Sequence, residues 1–132
     1  MAEGPADDPS VLDDHELWRR VPAFWVVYDD NRKQYRPTSA AFQNSTGFNG
    51  MSVVLGTDHG DPEGAVSSPN HSTHSLASVS ARFARGCSQT LSRAPEPDEP
   101  HHGHVSGAKT RSISRKFAAE SDWRVLRAPS EE

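Results

Sequence analysis

Apolar residues in this chain of 132 residues lie in short runs, and this feature limits the fold more than any other. The longest run is AFWVVY at 23–28, far short of the roughly eighteen apolar residues that a membrane-spanning helix needs. With 33% apolar residues, a chain of this length can bury a single core. We therefore expect one small domain and no membrane partner.

The order of apolar runs and turn residues predicts an α+β fold: a small single domain with a short mixed or antiparallel sheet and about two main helices. Residues 13–22 are predicted to form a helical turn that ends before Pro22. A helix at 110–120 is predicted to begin with a cap at Thr110 or Ser112. An apolar stripe at helical spacing predicts another helix, and it consists of Leu76, Val79, Phe83, Cys87 and Leu91. The remaining apolar segments predict strands, at 23–28, 51–55, 103–107 and 122–126.

Turn and linker composition separates these elements. The sequence DDNRK at 29–33 is typical of a hairpin turn, and Pro37 favours an irregular edge strand after it. Residues 56–74 are rich in Gly, Pro, Ser and Asp, so we expect a loose loop there. The expected boundaries are a domain at 13–127, a disordered acidic tail at 1–12 and a second disordered tail at 128–132.

The formal net charge of -4 hides an uneven distribution. Residues 1–66 carry eleven acids and five bases, a balance of -6, whereas residues 67–132 carry seven acids and nine bases, a balance of +2. Six of those nine bases lie between Lys109 and Arg127. This segment is where an acidic protein partner is expected to bind. Nucleic acid is not favoured as a partner, because the tryptophans are not interleaved with the bases.

Two features predict a cytoplasmic protein. The N-terminal sequence is acidic and lacks the apolar segment of a signal peptide. The single cysteine, Cys87, cannot form an internal disulfide, which is typical of a reducing compartment.

The segment HHGHVSGAKTRS at 101–112 contains a motif that resembles a phosphate-binding loop. A Walker A motif is excluded, because Gly103 and Gly107 are too close together and Ala108 separates the second glycine from Lys109. Two interpretations stay open. One is an anion held by Lys109 and the backbone N–H groups of the following helix, and the other is a plain turn followed by a helix cap.

The histidines of this segment suggest two kinds of chemistry. On a strand, His102 and His104 would share one face, which suits a pair of zinc ligands, but no motif supplies a third ligand. No metal or cofactor is therefore predicted. His102 is a candidate catalytic acid or base. The spacing of Cys87 and Arg93 matches cysteine phosphatases, but that site is excluded because no glycine-containing phosphate loop lies between them.

A second group of polar residues lies around the first predicted strands. If residues 23–28 pair with residues 34–42 across the turn, arginines and hydroxyls converge on one phosphate or carboxylate, since guanidinium groups bind such anions bidentately. These residues are Arg19, Arg20, Arg36, Thr38 and Ser39. The alternative is a solvated face whose arginines pair with nearby aspartates.

Three blocks of the sequence resemble a family of small, uncharacterised bacterial proteins. The blocks are LWRRVP at 17–22, RPTSAAF at 36–42 with MSVVL at 51–55, and PDEPHHGHVSGAKTRSISRKFAAESDW at 97–123. The chain departs from the family pattern at Thr38, where Ser is usual, and at Ala108, where Lys is usual. The resemblance implies no known activity, but it points to Arg19, Arg20, Arg36, Ser39, Ser52, His102, Gly107 and Lys109.

The WRR segment and the MSVVL strand also resemble, more distantly, NAD-handling toxin domains of the ADP-ribosyltransferase type, including the RES group. Those domains use an early Arg or His to hold the dinucleotide, a strand with a serine, and often an acid. The acid has no evident counterpart in this sequence.

These observations favour three functions, and whether the protein is an enzyme stays open. The first is binding of an anionic ligand, a phosphate or a nucleotide, with His102 as a candidate catalytic residue; the ligand-binding residues would be Arg19, Arg20, Arg36, Ser39, Ser52 and Lys109. The alternative is a non-catalytic protein-interaction module of a bacterial operon. The third is an NAD- or RNA-directed enzyme similar to ADP-ribosyltransferases.

Overall fold

A computed structural model describes residues 7–45, 47 and 49–127 of the chain. The fold is α+β, as predicted, and every strand pair is antiparallel. A six-stranded sheet has the order β6-β7-β4-β1-β5-β8, and β2 and β3 form a separate hairpin. The strands are β1 (Glu16–Val21), β2 (Val26–Asp29), β3 (Gln34–Pro37), β4 (Gly50–Leu55), β5 (Ser75–Ser80), β6 (Thr90–Arg93), β7 (His102–Ser106) and β8 (Asp122–Val125).

The longest helix in this part of the chain has ten residues. The α-helices are α1 (Gly56–His59), α2 (Pro62–Ala65), α3 (Ala81–Gly86) and α4 (Arg111–Glu120). Short 3₁₀ turns occur at Ala23–Trp25, Ser39–Ala41 and Pro69–His71. None of the described helices is long and apolar enough to cross a membrane.

Both faces of the six-stranded sheet are buried. One face carries Leu17, Val53 and Val105, and α4 covers it with Phe117. The opposite face carries Trp18, Val54, Leu76 and Val125, which pack against Ala65 and Val66. Because both faces of the sheet are buried, consecutive residues of β4, Val53, Val54 and Leu55, are all apolar and all buried.

Helix α4 forms as the sequence predicts. Of the two predicted caps, Thr110 is the residue that acts, since its Oγ1 accepts a hydrogen bond from the Ile113 N–H at 3.2 Å. Ser114 and Phe117 are fully buried at a spacing of three residues, which places one stripe of the helix against the sheet. The Ser114 hydroxyl donates to the Phe42 carbonyl at 2.7 Å and ties α4 to the 39–41 turn.

The helical turn predicted at 13–22 is wrong, because residues 16–21 form the strand β1. This strand lies between β4 and β5 and pairs with both. β5 pairs with all six residues of β1 and β4 pairs with Leu17 and Trp18, and this pairing outweighs the local capping signal. The strand predicted at 23–28 starts later than expected, since residues 23–25 form a 3₁₀ turn.

The helix predicted over 76–91 is also wrong. Its apolar residues belong to the strand β5, the helix α3 and the strand β6. Leu76 and Val79 lie in different clusters on opposite faces of the sheet, as strand residues three apart must. The Ser80 hydroxyl accepts a hydrogen bond from the Phe83 N–H at 3.0 Å and starts α3 there. The spacing of three and four residues therefore matches that of a helical apolar stripe, although the residues belong to three different elements.

The ordered domain begins before residue 13, the predicted boundary. The Asp8 N–H donates to the Leu91 carbonyl at 2.7 Å, and Val11 is 1% exposed. The expected loose loop at 56–74 is also folded onto the sheet, since it contains three short helical turns and Val66 is fully buried. Residues 1–6 and 128–132 lie outside the described residues, so the rest of the two predicted tails is not tested.

Candidate functional site

The predicted convergence of Arg19, Arg20 and Arg36 on one anion is wrong. Neighbouring residues on a strand point to opposite faces, so β1 directs Arg19 and Arg20 to different sides of the sheet. Arg36 lies on β3, in the separate hairpin. The predicted ligand-binding residues are therefore divided between two clefts and the interior.

Arg19 supports the fold beneath the 39–41 turn. Its Nε donates to the Ala41 carbonyl at 2.8 Å, and its Nη1 donates to the Ser52 carbonyl at 2.7 Å. Burial lowers the pKa of this guanidinium to about 10. The side chain thus holds the turn against β4, and these two donors are not available to a ligand.

Lys109 likewise stabilises the turn that precedes α4. Its Nζ donates to three acceptors: Asn44 Oδ1 at 2.8 Å, the Val105 carbonyl at 2.9 Å and the Gly107 carbonyl at 3.0 Å. Burial, together with the charge of Arg19, lowers the pKa of Lys109 to about 8. All three ammonium hydrogens are used within the protein. The structure shows the turn and the helix cap, and it gives the Lys109 ammonium internal partners, whereas anion binding by the backbone N–H groups stays a prediction.

Arg36 and Ser39 line a cavity of about 430 Å³ between the β2–β3 hairpin, the 39–41 turn and α4. We call it the basic cleft. Its lining residues are Asp29, Arg32, Arg36, Pro37, Thr38, Ser39, Arg115, Ala118 and Ala119. Arg32 and Arg115 were not predicted as site residues, and no local pattern could have placed Arg115 beside Arg36, since they lie on distant segments.

The basic cleft has an excess of positive charge. Three guanidinium groups line it against the single carboxylate of Asp29. Asp29 Oδ2 lies 3.3 Å from Arg36 Nε and 3.8 Å from Arg32 Nε. Arg115 forms no ion pair with any residue in the described part of the chain. Three positive charges and one negative charge leave a surplus of two.

A hydroxyl without a partner lies in the wall of this cleft. Thr38 Oγ1 is buried and has no hydrogen-bond partner among the described residues. Such a group costs roughly 1–3 kcal/mol when it is left unsatisfied. The Thr38 backbone is held in place, because its N–H donates to the Trp25 carbonyl at 2.9 Å. Thr38 Oγ1 is therefore a positioned hydroxyl with unused hydrogen-bonding capacity, and it is covered beneath the surface of the cleft wall.

Three other predicted residues, Arg20, Ser52 and His102, line a second cleft on the opposite face of the sheet, and Arg19 lines one of its two cavities. It consists of two cavities, of about 280 and about 470 Å³, that share these three side chains and His71. We call it the histidine cleft. Its walls are β1, β4 and β7, together with the segments 62–74 and 94–101. The histidine His71 was not predicted, because it lies in the segment expected to be a loose loop.

An ion pair lies in the centre of the histidine cleft. Arg20 Nη2 donates to Glu99 Oε1 at 3.0 Å, and Arg20 Nε donates to the Ala65 carbonyl at 2.7 Å. The second Glu99 oxygen accepts a hydrogen bond from the His101 N–H at 3.2 Å. Arg20 Nη1 donates to no described residue, so both of its hydrogens remain available in the cleft.

The histidines of this cleft are oriented by neighbouring groups. His102 Nδ1 lies 2.9 Å from the Ala94 carbonyl, which can only accept, so Nδ1 carries the hydrogen and Nε2 of the neutral ring carries a lone pair. His71 Nδ1 shares a hydrogen bond with the Ser68 hydroxyl at 2.9 Å. Burial, together with the charge of Arg20, lowers the pKa of His71 and of His74. These lowered pKa values favour the neutral form of both rings.

The two histidines considered as zinc ligands do share a face. The rings of His102 and His104 are edge to face, with centroids 4.9 Å apart. Within residues 7–45, 47 and 49–127, no group of three or more His, Cys, Asp or Glu side chains is placed to hold a metal ion. The structure thus adds no third ligand to this pair.

No protein-family model, curated protein or solved structure matches this chain. The resemblance to small bacterial proteins and the fainter one to ADP-ribosyltransferases therefore stay predictions.

Proposed function

We propose that the protein binds an anionic ligand bearing a phosphate group, and that the basic cleft is the binding site. The observation that carries this proposal is the set of three guanidinium groups around one carboxylate. A surplus of positive charge in a concave site attracts anions, and the low-dielectric walls strengthen that attraction. A cytoplasmic phosphate ester or nucleotide has the required charge.

The arrangement of the arginines suits a tetrahedral anion. Arg36 comes from the hairpin and Arg115 from α4, so the two side chains approach the cleft from different elements. Guanidinium groups bind phosphate oxygens through paired N–H donors, which gives a charge-assisted hydrogen bond at each contact. An anion held between hairpin and helix would therefore be bound from two sides.

The Ser39 hydroxyl supplies a further donor. Ser39 lies at the start of the 3₁₀ turn, lines the cleft and is half-buried, so a phosphate oxygen can accept a hydrogen bond from it. The neighbouring Thr38 Oγ1 has no partner in the described part of the protein, but it is covered by the cleft wall and lies out of direct reach of a ligand.

Isothermal titration calorimetry with inorganic phosphate and with pyrophosphate tests this proposal. We expect Arg36→Ala combined with Arg115→Ala to raise the Kd for pyrophosphate at least tenfold, since charge-assisted hydrogen bonds contribute roughly 1.5–3 kcal/mol each. Arg82→Ala is the matched control, because it removes an exposed arginine that does not line the cleft. Equal affinity in the double variant and the wild type would exclude the basic cleft as the site.

An acidic protein partner is the second candidate, and the outer face of α4 supports it. Arg111, Arg115 and Lys116 line a shallow depression of about 520 Å³ that contains no acidic residue. Arg115 also lines the basic cleft, so both proposals use part of one basic surface. Raising the salt concentration distinguishes the two candidates. Salt should strongly weaken the binding of an acidic protein to the exposed face of α4, and it should weaken the binding of a phosphate inside the cleft less.

An NAD-directed enzyme is the third candidate, and the position of Glu99 in the histidine cleft supports it. The resemblance to ADP-ribosyltransferases lacked an acid, but Glu99 lines the histidine cleft together with Arg20 and Ser52. Release of nicotinamide from NAD by the wild-type protein, lost in Glu99→Gln, would support this candidate. The fold itself provides no support, because no solved structure matches.

A further inference from the structure

We infer that the histidine cleft binds an uncharged sugar ring. It would then be a second ligand site, one that prefers uncharged ligands, whereas the basic cleft prefers anions. The inference rests on the charge, the hydrogen-bonding pattern and the apolar wall of this cleft, and it does not depend on the proposed phosphate site.

The buried charges of the histidine cleft are engaged by protein groups. Arg20 is paired with Glu99, whose side chain is 12% exposed. Arg19 also lines the smaller cavity and has no carboxylate partner among the described residues, but its Nε and Nη1 donate to the Ala41 and Ser52 carbonyls. Burial and the charge of Arg20 lower the pKa of His71 and His74, which favours their neutral forms. An anion in the larger cavity would therefore lose its hydration without an unpaired buried cation to replace it.

The rim of the cleft is acidic. Glu96 and Asp98 line the larger cavity and are both exposed, and Arg20 and Glu99 compensate each other beneath them. A phosphate or carboxylate approaching this opening meets two uncompensated negative charges. The rim thus selects against the anions that the basic cleft attracts.

The polar groups of the cleft match a ring with several hydroxyls. His102 Nε2 offers a lone pair, Arg20 Nη1 offers two hydrogens, and the Ser52 hydroxyl forms no hydrogen bond with a described residue, so it can donate or accept. Each sugar hydroxyl also donates one hydrogen and accepts others. Adjacent hydroxyls on one ring can therefore engage the imidazole and the guanidinium together.

The smaller cavity supplies an apolar wall. Trp18, Pro22, Trp25 and Val54 line it, and Trp25 is half-buried. Aromatic rings pack against the C–H face of a sugar while its hydroxyls point toward polar groups. The cavities, at about 280 and 470 Å³, have the size of ordinary small-molecule sites. The same chemistry would suit a free monosaccharide or the ribose of a nucleoside.

Tryptophan fluorescence, with ligand-observed NMR as a second readout, tests the inference on the full chain. The probes are D-glucose, D-ribose, adenosine and glucose 6-phosphate. The titrations use the Arg36→Ala/Arg115→Ala variant as well as the wild type, so that phosphate binding in the basic cleft does not contribute and the two proposals can fail separately. We expect a neutral probe to bind equally well to both proteins.

The arms of the experiment distinguish the two sources of a sugar ring. Tighter binding of adenosine than of ribose would assign a nucleoside, with its base against the tryptophan wall. Tighter binding of glucose would assign a free monosaccharide. In the double variant, glucose 6-phosphate is expected to bind less well than glucose, because the acidic rim repels it.

Two substitutions locate the site. We expect Ser52→Ala and His102→Gln each to raise the Kd of the bound sugar roughly fivefold, the size of one lost hydrogen bond. Ser92→Ala is the matched control, since Ser92 is a half-buried serine on β6 that lines neither cavity. Ser52→Ala removes a hydroxyl that bonds no described residue, so it tests the site without disturbing the fold. The inference is overturned if no neutral probe binds at about 10 mM, roughly ten times the upper end of the micromolar-to-millimolar range of ordinary ligands, or if both substitutions leave binding unchanged.

Discussion

Arg20 Nη2 lies 3.0 Å from Glu99 Oε1, and the two side chains are 23% and 12% exposed. This pair joins the central strand β1 to the connector between β6 and β7, which the sequence shows only as a proline-rich linker. It holds the connector against the sheet, and it forms the centre of the histidine cleft.

Removing one member of this pair should destabilise the protein. We expect Arg20→Met to lower the free energy of unfolding by about 3 kcal/mol, because it leaves the Glu99 carboxylate buried without its partner. The double variant Arg20→Met/Glu99→Gln should lose less than the sum of the two single variants. Urea denaturation of all four proteins measures this coupling, and Arg82→Met controls for loss of an arginine. Additive losses of unfolding free energy would show that the interaction between Arg20 and Glu99 does not contribute to stability.

Thr38→Val should separate stability from ligand binding. The substitution removes a buried hydroxyl that has no partner among the described residues, so we expect the free energy of unfolding to rise by about 1 kcal/mol. Pyrophosphate affinity should stay unchanged, because Thr38 Oγ1 is covered and is not exposed to the cleft.

The same substitution at Thr57 is the control. Thr57 Oγ1 accepts a hydrogen bond from the Glu16 N–H at 2.9 Å, so Thr57→Val should lower stability. Chemical denaturation and calorimetry report the two effects, and a loss of stability in Thr38→Val would contradict the prediction.

Glu16 should make stability depend on pH. Its hydrogen bonds from Arg124, opposed by burial and supported by Trp18, hold the pKa of its carboxyl below the usual 4.5. A depressed pKa means that the unfolded state takes up protons first, so this contribution is complete above pH 4.5 and is lost as the pH falls through the folded-state pKa. Glu16→Gln should therefore be less stable than the wild type at pH 7. The difference in stability should shrink as the pH falls below 4.5 and through the folded-state pKa of Glu16. Urea midpoints at pH 7 and pH 3 measure it, and a constant difference would show that the carboxylate charge does not matter.

Thr110→Ala should cost about 1 kcal/mol of unfolding free energy, because it removes the hydroxyl that caps α4. Ser112→Ala serves as the control, since Ser112 is exposed and makes no cap hydrogen bond. Thermal or urea denaturation distinguishes the two candidate caps. A larger loss in Ser112→Ala than in Thr110→Ala would reverse the assignment of the cap.

Some of the site could be recognised from local sequence alone. The Arg-Pro-Thr-Ser segment predicted Arg36 and Ser39 as ligand-binding residues, and both line the basic cleft. The histidine-rich segment predicted His102, which lines the histidine cleft. Lys109 was predicted as a ligand-binding residue from its local sequence, but its ammonium group donates hydrogen bonds to three acceptors within the protein. A lysine next to a glycine turn has the same local sequence in either role.

The sequence by itself determined the hairpin turn and the capped helix α4, because these depend on interactions between residues close in the chain. Its short apolar runs also indicated the α+β class and several of the strands. Only the tertiary structure decided that 16–21 is a strand, that 76–91 is divided among three elements, and that Arg115 joins Arg36 while Arg20 joins Glu99. Each of these depends on partners distant in the sequence: a strand needs neighbours on either side, and a cleft needs walls from separate segments. Local propensity carries no information on which distant segments meet, so the sheet order determined where each arginine and histidine was placed.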